Sequence, residues 1–260
     1  SSDAIAIITP TKFHHEIAMR CIEKNKHIFI EKPIAHNVAE AEELVKFSKE
    51  KKIIGQVGHV ERFNPAYNSV KKMIGNPMFI ESHRLSEFNP RGTDVSVVLD
   101  LMIHDIDIIL SLISSEVKNI SSSGVSVISD SPDIANARIE FHNGAVANLT
   151  ASRISLKNMR KLRFFQKETY ISVDLYNKKV EVVKMTDPPN ELDEFTLTLE
   201  NAEGKKKQIY FETPKINNYN AIQIELENFA NSINNNKKTI VSLEDATKAL
   251  KVAYSIINSM

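Results

Sequence analysis

The 260-residue chain contains a single cysteine, Cys21. One thiol excludes an internal disulfide and a cysteine-based metal site. Cys21 falls on the apolar side of a predicted helix, where a thiol packs as a small hydrophobe. Net charge is also lacking, since 33 Lys and Arg balance 33 Asp and Glu. No global field therefore favours nucleic acid or an anionic membrane as a partner. No apolar run approaches the ~20 residues of a membrane span, and no signal peptide is visible. Together these absences point to a reducing, cytoplasmic setting. What remains is an ordinary globular composition, 42% hydrophobic and 25% charged, enough for one large or two modest domains. The chain opens Ser1-Ser2-Asp3, without Met, and runs at once into the apolar Ala4–Ile8, so the expectation is that further sequence precedes it.

The first quarter alternates strand and helix. Strands are predicted at 4–8, 27–31 and 53–57. A helix from Thr11 to Asn25 carries Phe13, Ile17, Cys21 and Ile22 on one face. A second, capped by Asn37 with Glu40 in the capping-box position, carries Val38, Ala41, Leu44, Val45 and Ser48. Asn64 and Pro65 start a third. This is the pattern of a parallel sheet with crossover helices. A strand at 78–88, a turn at Asn89–Gly92 and a long helix from Val95 to Ile113 follow. Eight strands are then predicted, near 117–128, 134–141, 145–154, 161–166, 170–175, 180–184, 195–199 and 206–212. Asn143-Gly144 reads as a two-residue hairpin turn. Two helices close the chain: 219–233, with Ile222, Leu226, Phe229 and Ile233 inward, and one starting at Ser242, with Asp245 completing a capping box. The predicted fold class is α/β: an incomplete Rossmann-type parallel sheet, then an α+β domain with a large, mostly antiparallel open sheet. Its expected units are 1–75, 76–241 and a C-terminal helix at 242–260 that packs back on the first.

The stretch His27-Ile28-Phe29-Ile30-Glu31-Lys32-Pro33 concentrates chemistry at a strand end. Pro33 cannot continue a ladder and drives Lys32 extended. Lys32 is thereby held at the carboxyl edge of the sheet, where ligands of open α/β sheets bind. The competing reading is a solvated strand end paired with Glu31. The loop Gly58–Pro65, rich in His, Glu, Arg and Phe, reaches the same edge.

The helix 95–113 is apolar nearly all round, which marks it as buried. Asp100, His104, Asp107 and Ser111 interrupt it within one narrow stripe, with His104 about 40° from Asp100 and Asp105 about 140° away. Buried acids and an imidazole are costly unless paired. The stripe therefore serves a polar site, or it stitches two domains together. A metal site is disfavoured because Asp100 and His104 lack a third ligand. Arg84 and Arg91 are candidates for an anionic group such as a diphosphate, since guanidinium suits bidentate phosphate recognition.

Glu31-Lys32-Pro33 after a strand, Gly58 to Pro65 after the next, and Asp100-x3-His104-Asp105 on the helix occur in a fixed order. Together they resemble the glucose–fructose oxidoreductase / inositol dehydrogenase (Gfo/Idh/MocA) family over essentially the whole chain. The resemblance implies a nicotinamide-binding Rossmann domain, an α/β domain whose open sheet forms a homo-oligomer interface, and hydride transfer between a sugar or cyclitol carbon and NAD or NADP. It implies that Lys32 touches the substrate hydroxyl and the nicotinamide, that His104 is the proton acceptor, and that Asp100 neighbours it at the substrate. Thr9, Pro10, His14, Glu31 and Arg62 would line the cofactor side. More narrowly, Gly58–Ala66 and Asp94–Ile109 resemble the subgroup acting at C3 of UDP-N-acetylhexosamines. One departure stands out. The family opens with strand-Gly-x-Gly-x-x-Gly-helix, absent here, so roughly 60 residues that hold pyrophosphate and ribose are expected upstream. Taken alone, the chain is expected to bind NAD(P) poorly. The alternative is a non-catalytic sugar-binding or dimerisation relative.

Overall fold

Ile28, Phe29 and Ile30 are buried on both faces of β2 (His27–Glu31), as a central parallel strand requires. β2 pairs in parallel with β1 (Ala4–Ile7) on one side and β3 (Gly55–Gly58) on the other. The computed structural model describes residues 2–89, 95–187 and 197–260. Among these, β1, β2 and β3 form one parallel sheet. Helix α1 (His14–Glu23) joins β1 to β2, and α2 (Val38–Glu50) joins β2 to β3. The Asn37 side chain accepts from Glu40 N at 2.9 Å, so the cap of α2 forms as its sequence implies.

One face differs from its expectation. α1 buries His14, Ala18 and Ile22, and Phe13 is left exposed. A tight turn at Thr11–Phe13 precedes the helix, so the helical period does not extend back through Phe13.

The second sheet runs, in order, β11 (Thr198–Glu200), β12 (Lys206–Glu212), β10 (Lys179–Thr186), β9 (Thr169–Asp174), β8 (Met159–Gln166), β4 (Phe79–Leu85), β7 (Val146–Ser152), β6 (Ile134–Phe141) and β5 (Val117–Val125). It is antiparallel except where β4 lies parallel to β7. Gly144 turns the β6–β7 hairpin at φ +85°, which a residue without Cβ adopts freely. On β4 the period of two sends Ile80, Ser82 and Arg84 inward, and Phe79, Glu81 and His83 to the other face. The expected start of the strand 195–199 at Phe195, and Arg91 in the turn expected at Asn89–Gly92, lie outside the described residues.

Helix α3 (Pro65–Val70) is capped by Asn64, whose side chain accepts from Ala66 N at 3.0 Å. The expected long helix from Val95 begins instead with a wide turn at Val98–Met102 of i→i+5 bonding and becomes α4 (Ile103–Leu112). α5 (Ala221–Asn234) corrects another expectation, since it buries Glu225, Phe229 and Ser232 and exposes Ile222 and Leu226. Two contacts hold that face inward: Gln56 Nε2 donates to the Glu225 carbonyl at 2.8 Å, and Phe229 stacks on Phe29 with centroids 6.0 Å apart. α6 (Leu243–Asn258) starts at the Ser242–Asp245 capping box and packs on α2, α4 and β3.

Candidate functional site

The carboxyl ends of β1, β2 and β3 lie side by side. Thr9 and Pro10 are exposed beyond β1, and Glu31 and Lys32 are half-buried at the end of β2. Glu31 Oε2 accepts from the Lys32 backbone N–H at 3.1 Å. The same carboxylate lies over Gly58, where an added Cβ would meet it at 2.9–3.1 Å. Glycine at that position lets the carboxylate sit against β3.

Lys32 reaches out of the parallel sheet to the start of the α4 segment. Its Nζ donates to the Asp100 carbonyl at 2.7 Å and to Asp100 Oδ1 at 2.9 Å. His104, one turn further, is half-buried with Nδ1 enclosed. Burial, followed by the charges of Arg84 and Lys32, lowers its pKa well below the ordinary value, so its ring is neutral near pH 7. Lys32, Asp100 and His104 thus share one place at the junction of the two sheets.

Beneath them lies a polar cluster that sequence reasoning missed. Arg84 is 3% exposed; it donates to Asp105 Oδ1 at 2.6 Å through Nη2 and to Glu61 Oε1 at 3.0 Å through Nη1. Ser82 adds a 2.6 Å bond to Asp105 Oδ2, and Arg160 reaches Glu61 at 3.1 Å. The expectation that Arg84 meets an anionic substrate is thereby corrected, because buried carboxylates occupy its guanidinium. Two signals point to this cluster: the β4 period places Arg84 on the face of Ile80, and a helix apolar all round buries Asp105 as well.

Two further expected positions have different surroundings. His14 is 1% exposed, with Nδ1 2.9 Å from the Pro33 carbonyl and Nε2 2.7 Å from the Thr9 carbonyl. It ties the ends of β1 and β2 together beneath the edge and presents no free nitrogen to a cofactor. Arg62 is 6% exposed, donates to the Ile240 carbonyl at 3.0 Å and lies 3.4 Å from Asp107. It therefore belongs to the interior with Asp107, and the cofactor-side placement is corrected for both residues. Asp107 and Ser111, the far half of the stripe, line a small cavity with Arg62, Asp245 and Lys248. His59 is a second missed residue. It is buried, and its ring meets that of His104 edge to face with centroids 5.8 Å apart.

Among the described residues, no cluster of three or more His, Cys, Asp or Glu is placed to hold a metal. No described helix is long and apolar enough to cross a membrane. Thr9, Pro10, Glu31 and Lys32 lie along the carboxyl edge of adjacent parallel strands, and with Thr9 and Pro10 exposed and Glu31 and Lys32 half-buried this edge fits a dinucleotide.

Residues 1–59 match the profile described as oxidoreductase family, NAD-binding Rossmann fold, and residues 52–171 match the GFO/IDH/MocA C-terminal domain. UDP-N-acetylglucosamine 3-dehydrogenase of Acidithiobacillus ferrooxidans is 36% identical over 181 residues, which are 69% of this chain and 58% of that protein. The chain thus spans less than two thirds of that relative's length. The scyllo-inositol 2-dehydrogenase (NAD(+)) of Bacillus subtilis is 29% identical, over 99% of this chain and 75% of that protein. Among solved structures, the Acidithiobacillus enzyme superposes with a TM-score of 0.88 at 28% identity, covering 99% of this chain and 78% of that one. With the parallel sheet, the large mixed sheet and the ordered Glu31-Lys32-Pro33 and Asp100-x3-His104 segments all in place, the chain belongs to the GFO/IDH/MocA family of NAD-binding oxidoreductases.

Proposed function

We propose that the protein is an NAD- or NADP-dependent dehydrogenase that oxidises a secondary hydroxyl of a sugar or nucleotide sugar, with the C3 hydroxyl of a UDP-N-acetylhexosamine as the best candidate. The observation that carries this reading is the bonding of Lys32 Nζ to Asp100 beside a neutral His104. The 36% identity to a UDP-N-acetylglucosamine 3-dehydrogenase supports the choice of substrate class.

Oxidising an alcohol requires a base for the hydroxyl proton and a cation near the developing alkoxide. His104 takes the proton, because its ring is unprotonated at neutral pH. The Lys32 ammonium stabilises the oxygen as negative charge develops. Asp100 fixes that ammonium and offers a carboxylate oxygen to a neighbouring sugar hydroxyl. A bound nicotinamide cofactor would supply the acceptor for the carbinol hydride. On this reading Thr9, Pro10, Glu31 and Lys32 would hold it; the exposure of Thr9 and Pro10 beside the half-buried Glu31 and Lys32 supports this.

The test is an absorbance assay of the protein, in the longest form its gene encodes, against UDP-sugars and inositols with NAD and NADP. Reduction of cofactor with a UDP-N-acetylhexosamine meets the expectation. Saturable sugar binding without reduction of either cofactor would favour a non-catalytic binding relative.

A further inference from the structure

His59 follows β3 directly, and its side chain is 1% exposed. Neither of its ring nitrogens has a hydrogen-bond partner. The Nδ1 of His104 is likewise enclosed and unpartnered. These two rings are neighbours, with centroids 5.8 Å apart and planes at 84°. Buried polar atoms left unpaired are costly, and each neutral imidazole carries one N–H and one lone pair. Each ring thus holds what the other lacks.

The chemistry fixes the direction of the contact. For Nε2 of His104 to take a hydroxyl proton, the hydrogen of the neutral ring must sit on Nδ1. That N–H needs an acceptor. Nearby carboxylates are engaged elsewhere: Asp100 with Lys32, and Asp105 with Arg84 and Ser82. We propose that a ring nitrogen of His59 accepts the Nδ1–H of His104 across one bridging water, and so holds the His104 tautomer with Nε2 free for the substrate. This rests on the dehydrogenase reading above. His59 touches His104 and no reacting atom, so it is a positioning residue. Burial and the charges of Arg62 and Lys32 push its pKa down to about 3, so the ring stays neutral and keeps a lone pair to offer. A neutral acceptor orients the base without adding to its strength. The Lys32 cation then carries the electrostatic part of the work.

The direct test is ¹⁵N NMR of the histidine rings in the protein at neutral pH, with the His104 signals identified by their loss in His104→Ala. In the wild type, His104 carries its hydrogen on Nδ1. In His59→Phe, which keeps a ring but no acceptor, the tautomers mix. His59→Gln, with an amide oxygen, restores the wild-type form. In turnover, loss of this contact lowers kcat by no more than the factor of about 10²–10⁴ that a general base supplies. KM should stay nearly unchanged, with most of the rate recovered in His59→Gln. A His104 hydrogen on Nε2 in the wild type overturns the proposal, and this decides the matter even if His59→Phe does not fold. An unchanged tautomer in a folded His59→Phe overturns it as well. If the wild type oxidises no sugar, the dehydrogenase reading falls, while the NMR result still decides the His59 contact.

Discussion

Lys32 Nζ lies 2.9 Å from Asp100 Oδ1 and 2.7 Å from the Asp100 carbonyl oxygen, 68 residues further along the chain. One ammonium therefore binds a backbone and a side-chain acceptor of a single residue. The wide turn at Val98–Met102 brings that residue to the end of β2. Lys32 comes from the parallel sheet, and Asp100 from the segment that packs on the mixed sheet. The contact joins the two halves, and the proposed dehydrogenase reading puts the reacting hydroxyl beside it.

The buried cluster below the site gives the first prediction. Removing Arg84 leaves Asp105 uncompensated in the core, and breaking such a pair costs about 3–5 kcal/mol. Arg84→Met should therefore lower the denaturation midpoint sharply. The double variant Arg84→Met/Asp105→Leu should recover part of the loss, because Glu61 keeps Arg160 and Asn64. A folded Arg84→Met of normal stability, with a raised KM for a UDP-sugar, would restore the anion-binding role.

Glu225 gives a pH dependence. Burial first, then the charges of Glu31 and Asp107, raise its pKa to about 8. In the unfolded chain a glutamate titrates near 4.3. The folded state thus binds more protons between these values, and the contribution of Glu225 to stability falls as pH rises through about 4–8. Glu225→Gln cannot ionise. It should melt higher than the wild type at pH 8, by on the order of a few kcal/mol in stability, and the gap should close towards pH 5. Thermal melts across this range check it; a gap that widens on acidification would show the opposite sign.

The outer face of the mixed sheet gives a third. Phe79, Phe165 and Tyr170 line up across β4, β8 and β9, with ring centroids 5.8 and 5.0 Å apart, on the face opposite buried Ile80, Phe164 and Ile171. Phe165 remains 37% exposed. The expected outcome is a homo-oligomer through this face, seen by light scattering at micromolar concentration. Phe165→Glu should shift the mass towards the monomer. A wild type already monomeric would contradict it.

The elements most legible in the sequence were those set by local chemistry. Asn37, Asn64 and Ser242 mark helix starts because each side chain accepts from a backbone N–H just beyond it. Asn143-Gly144 marks the place of its hairpin, but the loop is three residues, His142–Gly144, and not the two expected, because Glu140 pairs with Val146 and of Asn143 and Gly144 only Gly144 takes a positive φ. The pairing of Lys32 with Asp100 was foreshadowed by a proline-terminated strand and a polar stripe on an apolar helix. Long-range partners were less legible. Arg84 looked free because its carboxylates lie 21 and 23 residues away. The inward face of α5 was misjudged because Gln56 and Phe29, remote in sequence, decide which side of the helix is buried. His59 stood in a charge-rich loop, and nothing local showed that its ring turns inward to meet His104.

The central claim is that Lys32 and His104 act on one substrate hydroxyl, and single-turnover oxidation of a UDP-N-acetylhexosamine tests it most directly. A general base contributes about 10²–10⁴-fold, so His104→Ala should slow cofactor reduction by that order. Lys32→Ala should slow it at least as much, with cofactor still bound and the melting temperature held in both variants. Near-normal rates in both would contradict the account. Loss of stability instead of rate would mean that the stripe on α4 only stitches the two sheets together.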